Sequence, residues 1–292
     1  MSGEGLLLGF DVGSSFVKAA LLDAATGRLV ASASSPEVEL EISAPKPGWA
    51  EQSPEVWWRH VVRSAGALRA KARRRWPDVR AIGISYQMHG LVAVDAAGSP
   101  VRPAIIWCDS RAVATGDAAF EALGRGACLR RLLNSPGNFT ASKLAWVRTN
   151  EPEVFARIRT VMLPGDYVAF RMTGEIRTTV PGLSEAVLWD FEREEVASFV
   201  LEHFGIPRGM IPETVPTFAP QGALTAAAAS ELGLAAGVPV SYRAGDQPNN
   251  AFSLKVLSPG EIAATAGTSG VVYGVAGRAS LDAESRVNSF AH

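Results

Sequence analysis

The stretch that decides the fold is residues 6–23, LLLGFDVGSSFVKAALLD, in which two apolar runs surround a turn of small residues. The first run leads straight into the acid Asp11, the turn occupies residues 13–15, and only Lys18 interrupts the second run. Two such runs about a small-residue turn predict a β-hairpin. Because the runs are nearly continuous rather than alternating, we expect the sheet to be covered on both faces.

This hairpin also carries groups that suit chemistry. A carboxylate at the end of a buried strand has to be solvated by a metal, by hydrogen-bond donors or by water. The backbone N–H groups of the adjoining turn can face a phosphate. A hairpin turn without any function has the same composition, so the stretch alone leaves both interpretations open.

The bulk composition restricts the class of protein. The chain has 292 residues, a hydrophobic fraction of 47% and a formal net charge of −1, which fits one large domain or two smaller ones with a sizeable core. The near-neutral charge argues against nucleic acid or an anionic membrane surface as the main partner. We interpret the basic cluster at residues 69–75 as the solvated end of a helix, where it complements the helix dipole.

The cysteines and the N-terminus indicate a cytoplasmic protein. Cys108 and Cys128 are the two cysteines, and neither has metal-ligand spacing around it, which fits a reducing compartment. The N-terminal residues MSGEG lack a basic region, and the apolar run after them meets Asp11 too soon for a signal peptide or a membrane span.

The following segments predict a β-meander and then a crossover. A third strand is expected over residues 28–35, and a helix opens at Ser53-Pro54-Glu55 with apolar groups spaced by three and four. The next strand, residues 79–86, comes after this long helix and therefore joins the sheet by a crossover. The remaining predicted segments are strands at 91–95, 104–107, 157–164 and 237–242, helices from Thr140 and Gly165 and over 192–203, 223–234 and 251–256, and a loop at 178–183.

Polar side chains follow several of these apolar strands, where α/β sheets commonly place active groups. The residues at these strand ends are Asp11, Gln87, Met88, His89, Asp109, Arg111 and Asp246. Structural interpretations remain open for two of them. His89 is also explained as a histidine hydrogen-bonded in a turn, and Asp109 as the cap of the following helix.

A second predicted hairpin repeats the pattern of the first. Strands at 261–266 (EIAATA) and 271–275 (VVYGV) surround the small-residue turn 267–270 (GTSG). Two such turns in one chain indicate an internal duplication in which each copy offers backbone N–H groups to one polyphosphate.

Five motifs together resemble the FGGY carbohydrate kinases of the actin and sugar-kinase superfamily. They are FDVGSSFVKAAL (10–21), SYQMHGLV (85–92), IIWCDSR (105–111), AGDQPNNA (244–251) and AGTSGVVY (266–273). The resemblance runs over essentially the whole chain with the motifs in family order. QMHG and WCDSR are most similar to xylulokinases, whereas GDQ is also similar to glycerol kinases.

The resemblance implies a fold and an activity. The fold is an α/β, RNase H-like domain with a mixed sheet and flanking helices over residues 1–244, followed by the start of a second such domain over 245–292. The activity is ATP-dependent phosphorylation of a sugar hydroxyl, with D-xylulose to D-xylulose 5-phosphate favoured. L-ribulose, L-fuculose, gluconate and glycerol are the alternative substrates.

The resemblance also assigns roles to residues. Asp246 matches the general base, and Asp11 matches the acid that holds Mg²⁺ through water. Sugar contacts are implied for Met88 and His89, and less directly for Gln87, Asp109 and Arg111. The phosphate-binding residues implied are Gly13, Ser14, Ser15, Lys18, Gly267, Thr268 and Ser269. One departure is the TTV at 178–180, where many members have an acid, and it argues against a carboxylate role for that loop.

Two further expectations concern the protein as a whole. The sequence contains only the start of a second domain and no motif for an adenosine site, so we expect a truncated and inactive piece of a longer parent. We expect that parent to form a homodimer. A non-catalytic sugar-binding remnant is the alternative from another class. An actin-like or chaperone-like ATPase shares the phosphate hairpins but does not explain QMHG or WCDSR.

Overall fold

The computed structural model describes residues 5–265 and 270–292. The strands in chain order are β1 Leu6–Val12, β2 Val17–Asp23, β3 Leu29–Ser35, β4 Glu51–Gln52, β5 Val79–Tyr86, β6 Val92–Val94, β7 Ala104–Ile105, β8 Thr160–Met162, β9 Trp189–Asp190, β10 Glu195–Val196, β11 Val240–Gly245, β12 Ile262–Thr265 and β13 Val271–Gly274. The α-helices are α1 Pro54–Ala72, α2 Val113–Leu123, α3 Arg125–Leu132, α4 Thr140–Asn150, α5 Pro152–Phe155, α6 Pro164–Thr173, α7 Val180–Glu185, α8 Ser198–Phe204, α9 Ala226–Leu232 and α10 Asp246–Ser253.

A five-stranded mixed sheet with the order β11-β5-β1-β2-β3 organises the chain. Strands β1, β2 and β3 form the predicted antiparallel meander, and β5 and β11 both run parallel to β1. The predicted crossover of β5 is therefore confirmed. Because β1, β5 and β11 are parallel, their carboxyl ends meet at one edge of the sheet, which is where the acids of β1 and α10 are placed.

Only one face of this sheet is covered by the residues that the structure describes, so the prediction of a sheet covered on both faces is wrong. In β1 the alternate residues Leu6, Leu8, Phe10 and Val12 are buried, whereas Leu7 is 43% exposed. Helix α1 contacts β2 and β3 and buries side chains such as Trp57 on the covered side. An uninterrupted apolar run shows that both faces tolerate apolar residues, but it does not reveal what covers each face.

Three local predictions are wrong in their details. Residues 178–183 are not all loop, because α7 starts at Val180 after Thr179, whose hydroxyl accepts the N–H of Gly182 at 3.1 Å. The segment expected as one helix over 192–203 forms β10 and then α8. Helix α10 begins at Asp246 instead of near residue 251, since Pro248 lies in its first turn, where a missing N–H is tolerated.

The second hairpin is confirmed in its strands. β12 and β13 pair antiparallel from Ile262 opposite Gly274 to Thr265 opposite Val271, and both strands contact α10. Its predicted phosphate-binding turn, Gly267, Thr268 and Ser269, lies outside the described residues. In the same described ranges, no helix combines the length and the apolar character needed to cross a membrane.

Candidate active site at the carboxyl edge of the sheet

Two acids from separate motifs come together at this edge. Asp11 lies near the end of β1, and Asp246 is the first residue of α10, directly after β11. Burial raises the pKa of the Asp246 carboxyl to about 6, and the negative charge of Asp11 adds to this shift. The two carboxylates therefore act on each other, as expected for groups that share one site.

The QMHG loop, residues 87–90, follows β5 at the same edge. The Gln87 N–H donates to the carbonyl of Val12 at 2.9 Å, which ties the loop to the end of β1. Gln87 and Met88 are buried, and His89 has a φ of 60°, in the left-handed region that non-glycine residues seldom adopt. The loop is thus held tightly against the strand that carries Asp11.

His89 is an uncharged histidine with one nitrogen already used. Burial lowers the pKa of its imidazole to about 4, so the ring is neutral at pH 7. Its Nδ1 lies 2.9 Å from the carbonyl oxygen of Glu185, and since a carbonyl only accepts, Nδ1 carries the proton. Nε2 is then an acceptor, which suits it to receive a hydrogen bond from a sugar hydroxyl.

Lys143 supports the QMHG loop from below and was missed by the sequence analysis. Its Nζ donates to the carbonyl oxygen of His89 at 2.8 Å and to that of Ile106 at 3.1 Å. Burial lowers the pKa of this ammonium to about 8. A lysine on the buried side of α4 was the available signal, because a lysine is almost never fully buried unless it is paired.

Asp109 and Arg111 form a buried ion pair with other protein groups. The Arg111 guanidinium donates to the Asp109 carboxylate through Nη2 at 2.7 Å, and its Nη1 lies 2.7 Å from a carboxylate oxygen of Glu51. The Ala50 N–H also donates to Asp109 at 2.6 Å, and the Trp49 ring lies 3.7 Å from the guanidinium carbon. Helix α2 starts at Val113 with Ala112 as its N-cap, so the capping interpretation of Asp109 is wrong. The sugar contacts implied for both residues stay a prediction.

The turn at residues 13–15 is connected to the QMHG loop through Gln52, another residue that the sequence analysis missed. The Gln52 side-chain nitrogen donates to the carbonyl of Ser14 at 2.6 Å. Its side-chain oxygen accepts from Trp57 at 3.1 Å and lies 3.5 Å from the side-chain nitrogen of Gln87. One glutamine therefore fixes the predicted phosphate turn relative to the predicted sugar loop.

The other predicted phosphate-binding residues lie around the same turn. The Gly13 N–H donates to the carbonyl of Phe16 at 3.0 Å, which closes the hairpin, and the carbonyl of Ser15 accepts from the N–H of Leu40 at 2.8 Å. The Ser14 hydroxyl accepts from Nε1 of Trp107 at 3.2 Å. Lys18 is exposed on β2 directly opposite Asp11, so the two side chains project from the same face of the sheet.

A residue near the end of the chain also contacts the QMHG loop, and no sequence pattern indicated this contact. The side chain of Asn134 pairs with the backbone of Ser289 through bonds of 2.7 and 3.0 Å. The Ala291 N–H donates to the Ser184 hydroxyl at 3.0 Å. The ring centroids of Phe290 and His89 are 5.3 Å apart, so an aromatic side chain of this segment packs beside the QMHG loop.

Glu185 is the third carboxyl group at this edge. It is the last residue of α7 and only 2% exposed, and it follows the stretch 178–180 in which the expected acid is missing. Burial raises its pKa well above the usual range, and the charges of Asp166 and Asp246 act in the same direction. A buried carboxyl group thus lies at this edge a few residues after the stretch 178–180.

The family of the chain follows from its sequence match over this architecture. The N-terminal domain of the FGGY family of carbohydrate kinases matches residues 6–253, which include β1 and its turn, the QMHG loop and Asp246. The chain belongs to the FGGY family of carbohydrate kinases. The resemblance carried by the five motifs is thereby confirmed.

Several similar proteins share a common description. The xylulose kinase of Escherichia coli is 33% identical over 287 residues, which cover 98% of this chain and 58% of that protein. A crystal structure of a xyloylose kinase from Brucella ovis aligns with a TM-score of 0.84 at 35% identity, covering 91% of this chain and 54% of that one. The xylulose kinase of Rhodospirillum rubrum aligns with a TM-score of 0.87 at 28% identity, covering 94% and 57%. These neighbours confirm the mixed α/β fold of the sugar-kinase superfamily, and the chain spans somewhat more than half of their length.

The Asp11 carboxylate is a donor of the kind that Mg²⁺ binds. Mg²⁺ keeps several waters and takes one or two protein carboxylates together with substrate phosphates. Asp11 offers such a carboxylate next to the predicted phosphate turn. No cluster of three or more histidine, cysteine or acidic side chains suited to a metal occurs in residues 5–265 and 270–292.

Gly245 provides a direct test of the contact between β11 and the QMHG loop. A Cβ at this position would lie 2.4 Å from Cγ of Met88, closer than packed atoms allow. We expect Gly245→Ala to displace Met88 and to weaken sugar binding at least tenfold, measured by calorimetry. Gly9→Ala on β1 is the matched control, because a Cβ there meets nothing within 4 Å. Equal sugar affinity in both variants would show that this contact does not shape the site.

Proposed function

We propose that this chain carries the sugar site and the general base of an ATP-dependent kinase that converts D-xylulose to D-xylulose 5-phosphate. The observation that carries the proposal is Asp246, a partly buried acid whose pKa burial and the charge of Asp11 raise to about 6, and which directly follows Gly245, the residue against Met88 of the QMHG loop. The descriptions of the similar FGGY proteins support D-xylulose as the substrate. We assign residues 1–244 to the first domain and residues 245–292 to the start of the second.

Asp246 has the properties that a general base needs here. An alcohol is a poor nucleophile at neutral pH, so its attack on the γ-phosphoryl group is assisted when a carboxylate takes the hydroxyl proton. With a pKa of about 6, the Asp246 carboxyl is ionised at pH 7 yet still basic enough to accept that proton. A positioned base of this kind contributes on the order of 10²–10⁴-fold in rate.

The surrounding residues position the two substrates. Nε2 of His89 accepts a hydrogen bond from the sugar, and the buried Met88 gives the sugar an apolar contact. The backbone of the turn at 13–15 offers N–H donors to the polyphosphate, and Lys18 adds a positive charge on the face that carries Asp11. Mg²⁺, held by Asp11 through water, would neutralise charge on the phosphate oxygens.

Calorimetry on residues 1–292 tests the substrate. Titrations with D-xylulose, L-ribulose, L-fuculose, gluconate and glycerol are compared under one set of conditions, and we expect D-xylulose to bind most tightly. A preference for glycerol would overturn the D-xylulose proposal while leaving membership of the family intact. Binding of none of the five would contradict a sugar site in this chain.

We also propose that residues 1–292 by themselves bind sugar but transfer phosphate negligibly. The support is that they span 58% of the length of the E. coli relative. Robust ADP formation that depends on D-xylulose, measured with purified residues 1–292, would contradict this proposal.

A further inference from the structure

We propose that Glu185 is a sugar-binding residue of this site, and that its carboxyl group hydrogen-bonds an oxygen of the ketose next to the hydroxyl that reacts. This inference rests on the proposed function, because it names a further contact for the same substrate. Glu185, the last residue of α7, would then contact the substrate at the carboxyl edge of the sheet.

The first support is where the carboxyl group lies. A Cβ placed on Gly245 would be 2.9 Å from Oε2 of Glu185 and 2.8 Å from Sδ of Met88. The Glu185 carboxyl and the Met88 side chain therefore both lie against Gly245, the residue directly before Asp246. In addition, the backbone carbonyl of Glu185 accepts a hydrogen bond from Nδ1–H of His89. The same residue therefore orients His89 and supplies the buried carboxyl group.

The second support is that the carboxyl group lacks partners of its own. Glu185 is 2% exposed, and neither of its carboxylate oxygens has a hydrogen bond within the part of the chain that the structure describes. Burial of a polar group without a partner costs about 1–3 kcal/mol, so a buried orphan calls for an explanation. A ligand oxygen that arrives with the substrate is such an explanation.

The neighbouring polar groups are engaged elsewhere. Nζ of Lys143 donates to the carbonyls of His89 and Ile106. Asp166 lies 2.9 Å from the guanidinium Nε of Arg243. Against the larger effect of burial, the nearby Tyr86 hydroxyl lowers the pKa of the Glu185 carboxyl, but neither carboxylate oxygen has a partner among the described residues at both hydrogen-bond distance and angle. Each of these groups shapes the charge around Glu185 without satisfying it.

The chemistry of the carboxyl group fits a ketose. Burial, with Asp166 and Asp246 nearby, raises the pKa of Glu185 well above its usual range, so the group is held neutral beside the ionised base. A neutral carboxylic acid has one O–H donor and further acceptor capacity, which matches the carbonyl and the hydroxyls of a ketose. Asp246 and His89 are both partly exposed, so the sugar approaches Glu185 past these two residues.

The test compares Glu185→Leu with Glu185→Gln in residues 1–292, by calorimetry with D-xylulose. The leucine variant keeps the bulk but loses all hydrogen bonding, and we expect it to weaken D-xylulose binding by roughly 10- to 100-fold. The glutamine variant keeps a neutral donor and acceptor and should stay within a few-fold of the unchanged chain. Thermal melting checks folding. Glu185→Leu should melt no lower than the unchanged chain because it removes the buried polar group that lacks a partner in the described part of the chain, and Glu185→Gln should melt close to the unchanged chain.

A spectroscopic readout is independent of affinity. A neutral carboxylic acid gives an infrared carbonyl band, and we expect a band that is absent in Glu185→Gln and shifts in the unchanged chain when D-xylulose is added. Glu185→Leu binding as tightly as the unchanged chain, or a band that does not respond to the sugar, would overturn the inference alone. An unchanged chain that binds no sugar would overturn the proposed function itself. Should Glu185→Leu fail to fold, the response of the band decides.

Discussion

Replacement of Asp246 by asparagine is expected to abolish phosphoryl transfer and at the same time to stabilise the fold at pH 7–8. Transfer is lost because asparagine cannot accept the proton of the sugar hydroxyl. Stabilisation follows because burial and Asp11 raise the pKa of this carboxyl from 3.8 to about 6, so its ionised form is less favourable in the folded chain than in the unfolded chain.

The sign of the stability effect gives a pH window. Below about pH 4 the carboxyl is protonated in both states and costs nothing, and between about pH 4 and pH 6 the cost develops as only the unfolded chain ionises freely. Above about pH 6 the cost is complete, at roughly 3 kcal/mol. Asp246→Asn should therefore melt a few degrees above the unchanged chain at pH 7–8, and the two should coincide near pH 4.

Melting curves of residues 1–292 at both pH values check the stability. ADP formation checks the transfer in a fusion of residues 1–292 with the C-terminal part of the E. coli relative that this chain does not cover. D-xylulose binding should stay within a few-fold, because asparagine keeps the size and the polarity of the side chain. Normal turnover in the Asp246→Asn kinase would show that Asp246 is not the base. If Asp246→Asn melted below the unchanged chain at pH 8, burial of the ionised Asp246 carboxylate would not destabilise the fold.

Replacement of Arg111 by methionine is expected to cause a larger loss of stability than any other single replacement at this site. Asp109 is fully buried and Glu51 is 8% exposed, and the Arg111 guanidinium lies against both carboxylates. Removal of one partner from a buried ion pair costs about 3–5 kcal/mol, because the remaining charge stays buried without compensation. The melting temperature should then fall on the order of 10 °C.

A matched control separates this buried network from an ordinary surface pair. Arg125 pairs with Glu121 at 2.9 Å, but both side chains are more than half exposed, so Arg125→Met should leave the melting temperature almost unchanged. If Arg111→Met instead melted like the unchanged chain and lost D-xylulose affinity, Arg111 would act as the sugar contact that the family resemblance implies. Calorimetry and melting on the same preparation distinguish the two outcomes.

The sequence predicted the parts of the fold and the site that depend on short segments. The hairpin of β1 and β2 is set by two apolar runs and a turn, so its pairing and its position are readable locally. Asp11 and Asp246 stood out because each follows an apolar strand, and the parallel alignment of β1 and β11 relative to β5 brings these ends to one edge. Chain order and strand type were sufficient for this placement.

The missed residues depend on contacts between distant segments. Gln52 links the turn at 13–15 to Gln87 from a strand of two residues, which is too short to give a pattern. Lys143 is defined by two backbone carbonyls that lie 54 and 37 residues away in the chain. Glu185 lies at the end of α7, and the polar sequence at 178–183 predicts a loop where this helix begins. Composition and periodicity carry no information about such partners.

The pKa of the Asp246 carboxyl, measured by carbon-detected NMR titration of residues 1–292, tests the central claim most directly. The claim is that Asp11 and Asp246 form one site at the carboxyl edge of the sheet. The account predicts a pKa of about 6 in the unchanged chain and a lower value in Asp11→Asn, where the neighbouring negative charge is gone. A pKa near 4 that does not respond to Asp11→Asn would contradict it.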